Sequence, residues 1–181
     1  TKENNVLKFV LSEATKNNPD SVLKVIDKCG YNNFFLMNIG DKKGKILDKY
    51  VLKSNAKCLL ELGVYLGYST IRIAKNLSDD AHLYSIDVNE EFLNIAKQHL
   101  EFSGLTEKVS FFNGKASEVI PQLDQKFDFV FIDHWKEAYL DDLKILIKLD
   151  RLKDGAVIFA DNIVLFPVSY THLRAHETSL H

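Results

Sequence analysis

Little cysteine, no basic tract and no long apolar run: each of these absences removes a class of protein. Two cysteines, Cys29 and Cys58, in 181 residues make no disulfide framework and suit a reducing compartment. No Cys or His pair has the spacing of a zinc site. No apolar stretch approaches the ~20 residues that cross a bilayer. The opening residues, Thr1-Lys-Glu-Asn-Asn, carry no signal-peptide pattern. A net charge of −2 without clustered Lys and Arg gives no footing for nucleic acid. Internal repeats and low-complexity linkers are also missing. These exclusions point to a cytoplasmic globular chain with no membrane segment and no obligate protein partner. Its 46% hydrophobic and 27% charged residues are ordinary for one domain with a sizeable core.

The hydrophobic pattern predicts two short helices over 4–16 and 19–29. Pro19 after Asn18 signals a start and Gly30 a stop. A loop, Phe34 to Lys45, then passes into a helix carrying Ile46, Leu47, Tyr50 and Val51. Phe34 and Phe35 have two readings, a pocket wall or packing beneath the loop. From Ala56 onward, strand patterns over 57–62, 82–88, 108–112, 127–133 and 156–161 alternate with helical ones over 69–77, 90–103, 117–123 and 138–149. That alternation predicts an α/β fold: a Rossmann-like open parallel sheet with helices on both faces, in one domain.

The stretch Cys58-Leu-Leu-Glu-Leu-Gly-Val-Tyr-Leu-Gly-Tyr-Ser69 joins a buried strand to a helix through a glycine turn. A dinucleotide fingerprint reads Gly-x-Gly-x-x-Gly. Here the pattern is Glu-x-Gly-x-x-x-Gly, with Tyr65 at the place of the second fingerprint glycine. A bulky residue obstructs a pyrophosphate and a carboxylate repels one. Glu61 instead suits a cation, such as the ammonium of an amino-acid moiety. The stretch resembles motif I of the S-adenosylmethionine-dependent methyltransferases; a turn serving only packing is the alternative.

Ligands of open α/β sheets lie at the carboxyl ends of the strands. The second strand ends in Asp87, at a spacing from Gly63 that lets an acid accept from both ribose hydroxyls. The competing role, capping the next helix, falls more naturally to Asn89. The fourth strand ends in Asp133-His-Trp-Lys136 and the fifth in Asp161-Asn162. Two carboxylates and an amide oxygen on neighbouring tips form a hard oxygen cluster that suits Mg²⁺.

Residues 4 to about 165 resemble the catechol O-methyltransferase family. The resemblance is carried by Met37-Asn-Ile-Gly-Asp-Lys-Lys-Gly, Glu61-Leu-Gly-Val-Tyr-Leu-Gly-Tyr-Ser, Val119-Ile-Pro-Gln-Leu, Phe131-Ile-Asp-His-Trp-Lys and Ala160-Asp-Asn. It implies a class I methyltransferase that moves a methyl group from S-adenosylmethionine to a small catechol-type substrate with Mg²⁺. Asp133, Asp161 and Asn162 match the metal ligands and Lys136 the general base. Glu61, Gly63, Tyr65, Ser69, Asp87, His134 and Trp135 match cofactor contacts, as does Ile39 by its backbone. Lys43 lies in the matching segment but reads as a solvated surface charge.

Several positions depart from the family. Its Ser-Gln pair at the adenine falls on Ala116 and Ser117, so Ser117 keeps only part of that role. Phe35 replaces a tryptophan and Phe166 a proline. The family's further helix, its last two strands and an acid for the second catechol hydroxyl have no counterpart. After Phe166 the chain reads as translated cloning sequence, and His172, His176 and His181 are not taken as a metal site. The expected domain is therefore 1–166, incomplete at its C-terminus, with a non-native tail over 167–181. Strand 156–161 would then be an exposed edge and the chain unstable or inactive. Two readings compete with the enzyme: a non-catalytic S-adenosylmethionine-binding homologue, and a nicotinamide oxidoreductase, which Tyr65 disfavours. A related substrate, another vicinal-diol aromatic, is the alternative within the enzyme reading.

Overall fold

The computed structural model describes residues 1–32 and 34–161. Asn162, Phe166 and the expected tail lie outside the described residues. Three helices come first: α1 (Lys2–Glu13), α2 (Pro19–Asn32) and α3 (Gly40–Ser54). The alternating part follows as β1 (Cys58–Leu62), α4 (Tyr68–Lys75), β2 (His82–Asp87), α5 (Glu90–Phe102), β3 (Val109–Asn113), α6 (Ala116–Val119), β4 (Phe127–Ile132), α7 (Tyr139–Lys148) and β5 (Leu152–Ala160).

All strand pairings are parallel, in the order β3-β2-β1-β4-β5. The chain reverses direction across the sheet between β1 and β4, which opens a crevice at their carboxyl ends. Side chains alternate between the faces. Leu59, Leu83, Phe129, Phe131 and Phe159 pack with α1 to α5, whereas Leu60, Leu62, Ile86, Val130 and Ile132 pack with α6 and α7. Both faces are thereby covered, as the near-continuous apolar strands required.

Caps agree with the sequence at two starts. Asn18 Oδ1 accepts from Ser21 N (3.0 Å) before α2, and Asn89 Oδ1 accepts from Phe92 N (3.1 Å) at α5. Gly30 does not stop α2, which runs on to Asn32. Its backbone is not left-handed, and Leu36 packs 3.7 Å from where a Cβ would stand. The predicted helix 117–123 is α6 followed by a 3-10 turn over Ile120–Gln122. Pro121, lacking an N–H, ends the α-helical pattern there. β5 begins at Leu152 rather than 156. The register against β4 shifts between Phe127 and Phe129, and Gly155 at φ +78° absorbs the irregularity that hides the early residues. Among the described residues β5 pairs on one side only.

Candidate functional site

Gly63 closes the carboxyl end of β1 and makes the crevice possible. Its φ is +95°, and a Cβ there would stand 2.5 Å from the Asp133 carbonyl oxygen. The turn and the tip of β4 touch backbone to backbone, which only glycine permits. Gly67, at φ +81°, does the same against α5, where Ala96 Cβ is 3.0 Å from the missing Cβ. Tyr65 between them adopts φ +49°, uncommon for a bulky residue. It is held there by an edge-to-face contact with Phe92 and by its hydroxyl, which donates to Glu3 Oε1 at 3.1 Å.

Asp87 completes the turn. Its Oδ2 accepts from Val64 N (2.8 Å) and Tyr65 N (3.0 Å), and its Oδ1 from Asn89 N (2.9 Å). The carboxylate thus organises the glycine loop while also facing the cavity. From below, His99 supports the same loop: Nδ1 donates to the Leu66 carbonyl at 2.8 Å. Burial holds this imidazole down to about 4, so it is neutral at physiological pH. The helical stripe of α5 reads as plain core in the sequence, and His99 was missed for that reason.

The resulting cavity holds about 650 Å³, a size suited to a small-molecule ligand. Gly63, Tyr65, Ser69, Asp87, Asp133, His134, Trp135 and Asp161 all line it. Ile39, Glu61, Ser117 and Lys136 do not. Ile39 is buried beneath α3, and its neighbours Met37 and Asn38 form the wall instead. Ser117 is exposed, and Ala116 faces the cavity. Lys136 is exposed in the short turn after Trp135.

Glu61 corrects the expectation of a carboxylate open to a cationic ligand. It is fully buried under α4 and accepts from Ser69 Oγ (2.5 Å), Thr70 Oγ1 (2.7 Å) and Ser85 Oγ (2.6 Å). Parallel register places Glu61 opposite Ser85, and the first turn of α4 brings the other two hydroxyls. Burial pushes its carboxyl up to about 7, and the three hydroxyls oppose that rise. Glu61 acts on the cavity through Ser69: with its proton committed to Glu61, that hydroxyl offers only lone pairs to a ligand.

The tips of β4 and β5 meet as expected. Asp133 N donates to Leu62 O (2.8 Å) and Asp161 N to Ile132 O (2.9 Å), so the main chain fixes both acids. Their carboxyl groups lie close enough for the Asp161 charge to act on Asp133. Burial, then the nearby Asp161 and Glu61 charges, push Asp133 up to about 7. Two hard carboxylates sharing one buried spot suit Mg²⁺ or Mn²⁺. The described residues contain no third Asp, Glu, His or Cys at this spot; Asn162 lies outside them. Lys43, expected as a solvated surface charge, is exposed, yet it also lines the cavity and its Nζ donates to Asp161 Oδ1 at 2.5 Å. His134 is fixed by Asp142, 2.5 Å from Nε2, and by stacking on Tyr139.

A crevice at the switch point of a parallel sheet, floored by a glycine turn and walled by acids from three strand tips, defines a protein of Rossmann-like fold. More narrowly, the chain belongs to the O-methyltransferase family, whose model matches residues 12–172. It is 39% identical to catechol O-methyltransferase of Mus musculus over 170 residues, covering 91% of this chain and 64% of that protein. The Bos taurus catechol O-methyltransferase is 38% identical over 169 residues, with 91% of this chain and 62% of that one covered. The chain thus spans just under two thirds of these relatives. Among solved structures, an O-methyltransferase from Bacillus cereus in complex with SAH matches with a TM-score of 0.69 at 27% identity, covering 88% of this chain and 67% of that one. The O-methyltransferase TomG from Streptomyces achromogenes, in complex with SAM, matches with 0.70 at 27% identity, covering 86% and 76%. No helix among the described residues is long and apolar enough to cross a membrane.

Proposed function

We propose that this chain binds S-adenosylmethionine in the crevice and transfers its methyl group to one hydroxyl of a catechol or related vicinal diol, with Mg²⁺ held at Asp133 and Asp161. One observation carries the proposal: the glycine turn and the paired acids are in backbone contact, Gly63 against Asp133, and wall a single cavity. A donor pocket alone would need no such acids. When bound, S-adenosylmethionine supplies an electrophilic methyl carbon and the divalent ion supplies Lewis-acid polarisation of a hydroxyl.

The protein's own groups do the rest by placement. The Gly63 turn is the floor that lets a ligand approach the main chain. Ser69 presents lone pairs to a cationic group, and Asp87 takes the ribose hydroxyls alongside the amides it already holds. The contacts expected of Ile39 and Ser117 pass to their neighbours, Met37 and Asn38 on one side and Ala116 on the other, which line the cavity. His134 and the exposed rings of Trp135 and Phe35 cover the ligand and keep water out. Asn162 joins Asp133 and Asp161 in the assigned metal set. Lys136, three residues after Asp133, is assigned the removal of the hydroxyl proton, and its exposed position requires it to turn inward over bound substrate. Methyl transfer between a nucleophilic oxygen and a cationic donor gains chiefly from alignment, for which positioning supplies roughly 7–11 kcal/mol.

Calorimetric binding of S-adenosylmethionine, followed by transfer to catechol with and without a chelator, tests the proposal. Donor binding with transfer abolished by chelation and restored by Mg²⁺ is expected. Transfer that persists after thorough chelation overturns the metal assignment. Donor binding without any transfer to vicinal diols returns the chain to the non-catalytic reading.

A further inference from the structure

The acids at the tips of β4 and β5, Asp161 buried and Asp133 partly so, already have a cation at hand. Lys43, in the first turn of α3, donates to Asp161 at 2.5 Å across 118 positions of sequence. The two partners are held very differently. The Asp161 side chain is 5% exposed and its backbone is locked in the sheet, whereas the Lys43 side chain is 46% exposed. One end is fixed; the other is an ammonium on a flexible four-carbon stem with water on one side.

The helix that carries Lys43 is itself clamped. A Cβ on the adjacent Gly44 would stand 2.3 Å from Arg72 Nε, so the guanidinium lies directly against α3. Arg72 also donates to Asp48 of α3 and, at 3.1 Å, to the Tyr68 hydroxyl. The base of Lys43 is therefore held at a constant reach from Asp161, and any outward movement is one of its side chain.

We propose that Lys43 is a tethered counter-cation: it stands in for the charge of a divalent ion at Asp133 and Asp161, and its displacement sets the affinity of that site for metal. The proposal rests on the metal reading given above. Two carboxylates in one buried place repel, and a single ammonium offsets part of that repulsion. A divalent ion arriving at the same oxygens repels the ammonium in turn, so metal binding includes moving Lys43 outward. Its exposed stem permits this without backbone movement. Lys43 is thus a positioning residue that sets metal affinity, not one that takes part in methyl transfer.

Mn²⁺ alone is the probe, with free ion followed by electron paramagnetic resonance over the full chain, Lys43→Met, Lys43→Gln and Lys43→Arg. Removing the charge is expected to tighten Mn²⁺ binding by roughly tenfold or more, with Lys43→Arg close to wild type. Without metal, Lys43→Met should melt below wild type, and Mn²⁺ should raise its melting temperature by more. Unchanged or weaker Mn²⁺ binding in Lys43→Met and Lys43→Gln overturns the proposal while leaving the metal reading intact. Failure of both to fold even in saturating Mn²⁺ makes Lys43 structural and overturns it too. A wild-type chain with no saturable Mn²⁺ uptake removes the metal reading, and this proposal with it.

Discussion

Gly63 and Asp133 share one space: the Cβ that Gly63 lacks would stand 2.5 Å from the Asp133 carbonyl oxygen and 2.7 Å from its carbonyl carbon. Gly63→Ala therefore forces both an unfavourable φ and a backbone collision. The expected cost is roughly 2–4 kcal/mol, read from urea midpoints, with loss of S-adenosylmethionine binding. A variant that melts and binds like wild type would show that the turn yields more easily than its contacts indicate.

Asp87 accepts three backbone N–H bonds with two oxygens. Asp87→Asn keeps the size but replaces one acceptor with a donor, leaving at least one amide unsatisfied. A loss of about 1–3 kcal/mol and a weakening of S-adenosylmethionine binding by at least tenfold are expected. If only binding fell, with stability unchanged, the acid would serve the ligand and not the loop.

His99 links the glycine turn to pH. Its ring is held at about 4 against the usual 6.5 of a histidine, chiefly by burial. Between those values the unfolded chain binds a proton that the folded chain refuses. This contribution is complete above the unfolded pKa and is lost as pH falls towards about 4, on the order of 3 kcal/mol in all. Comparing the fall in urea midpoint from neutral to mildly acid pH in wild type and His99→Leu checks this. The variant should show the shallower fall; parallel curves would assign the acid sensitivity elsewhere.

Gly44 sits beneath Arg72, whose Nε lies 2.3 Å from the place of its absent Cβ. An alanine would gain up to about 1 kcal/mol of helix propensity yet must push out a guanidinium tied to Asp48 and Tyr68. The displacement should dominate, so Gly44→Ala is expected to be less stable than wild type in thermal melts. A gain in stability would mean that Arg72 repacks freely.

Lys136 separates placement from proton removal. Lys136→Ala is expected to lower turnover by orders of magnitude while S-adenosylmethionine affinity stays within about twofold. Parallel loss of both would mark Lys136 as structural. Unchanged turnover would remove it from the reaction.

Much of this fold was readable along the chain because each strand is a short apolar run and each helix carries a stripe. Asp133 and Asp161 were legible as acids at strand tips, a position set by local pattern. Two of the misreadings share one cause. Glu61 looked open to ligand because its partners, Ser69, Thr70 and Ser85, arrive from two other elements. Lys43 looked solvated because its partner lies 118 residues away. Gly30 carried a stop signal, but its backbone stays out of the left-handed region and α2 continues to Asn32. Distances across the fold, not local chemistry, decided Glu61 and Lys43.

The bond from Tyr65 to Glu3 spans 62 positions and fastens the opening helix to the centre of the molecule. Trimming a few amino-terminal residues, which usually leaves a protein's workings untouched, would here release an aromatic ring from a conformation that it does not hold by itself. Expression designs that sacrifice this end for convenience would loosen the cavity from a distance.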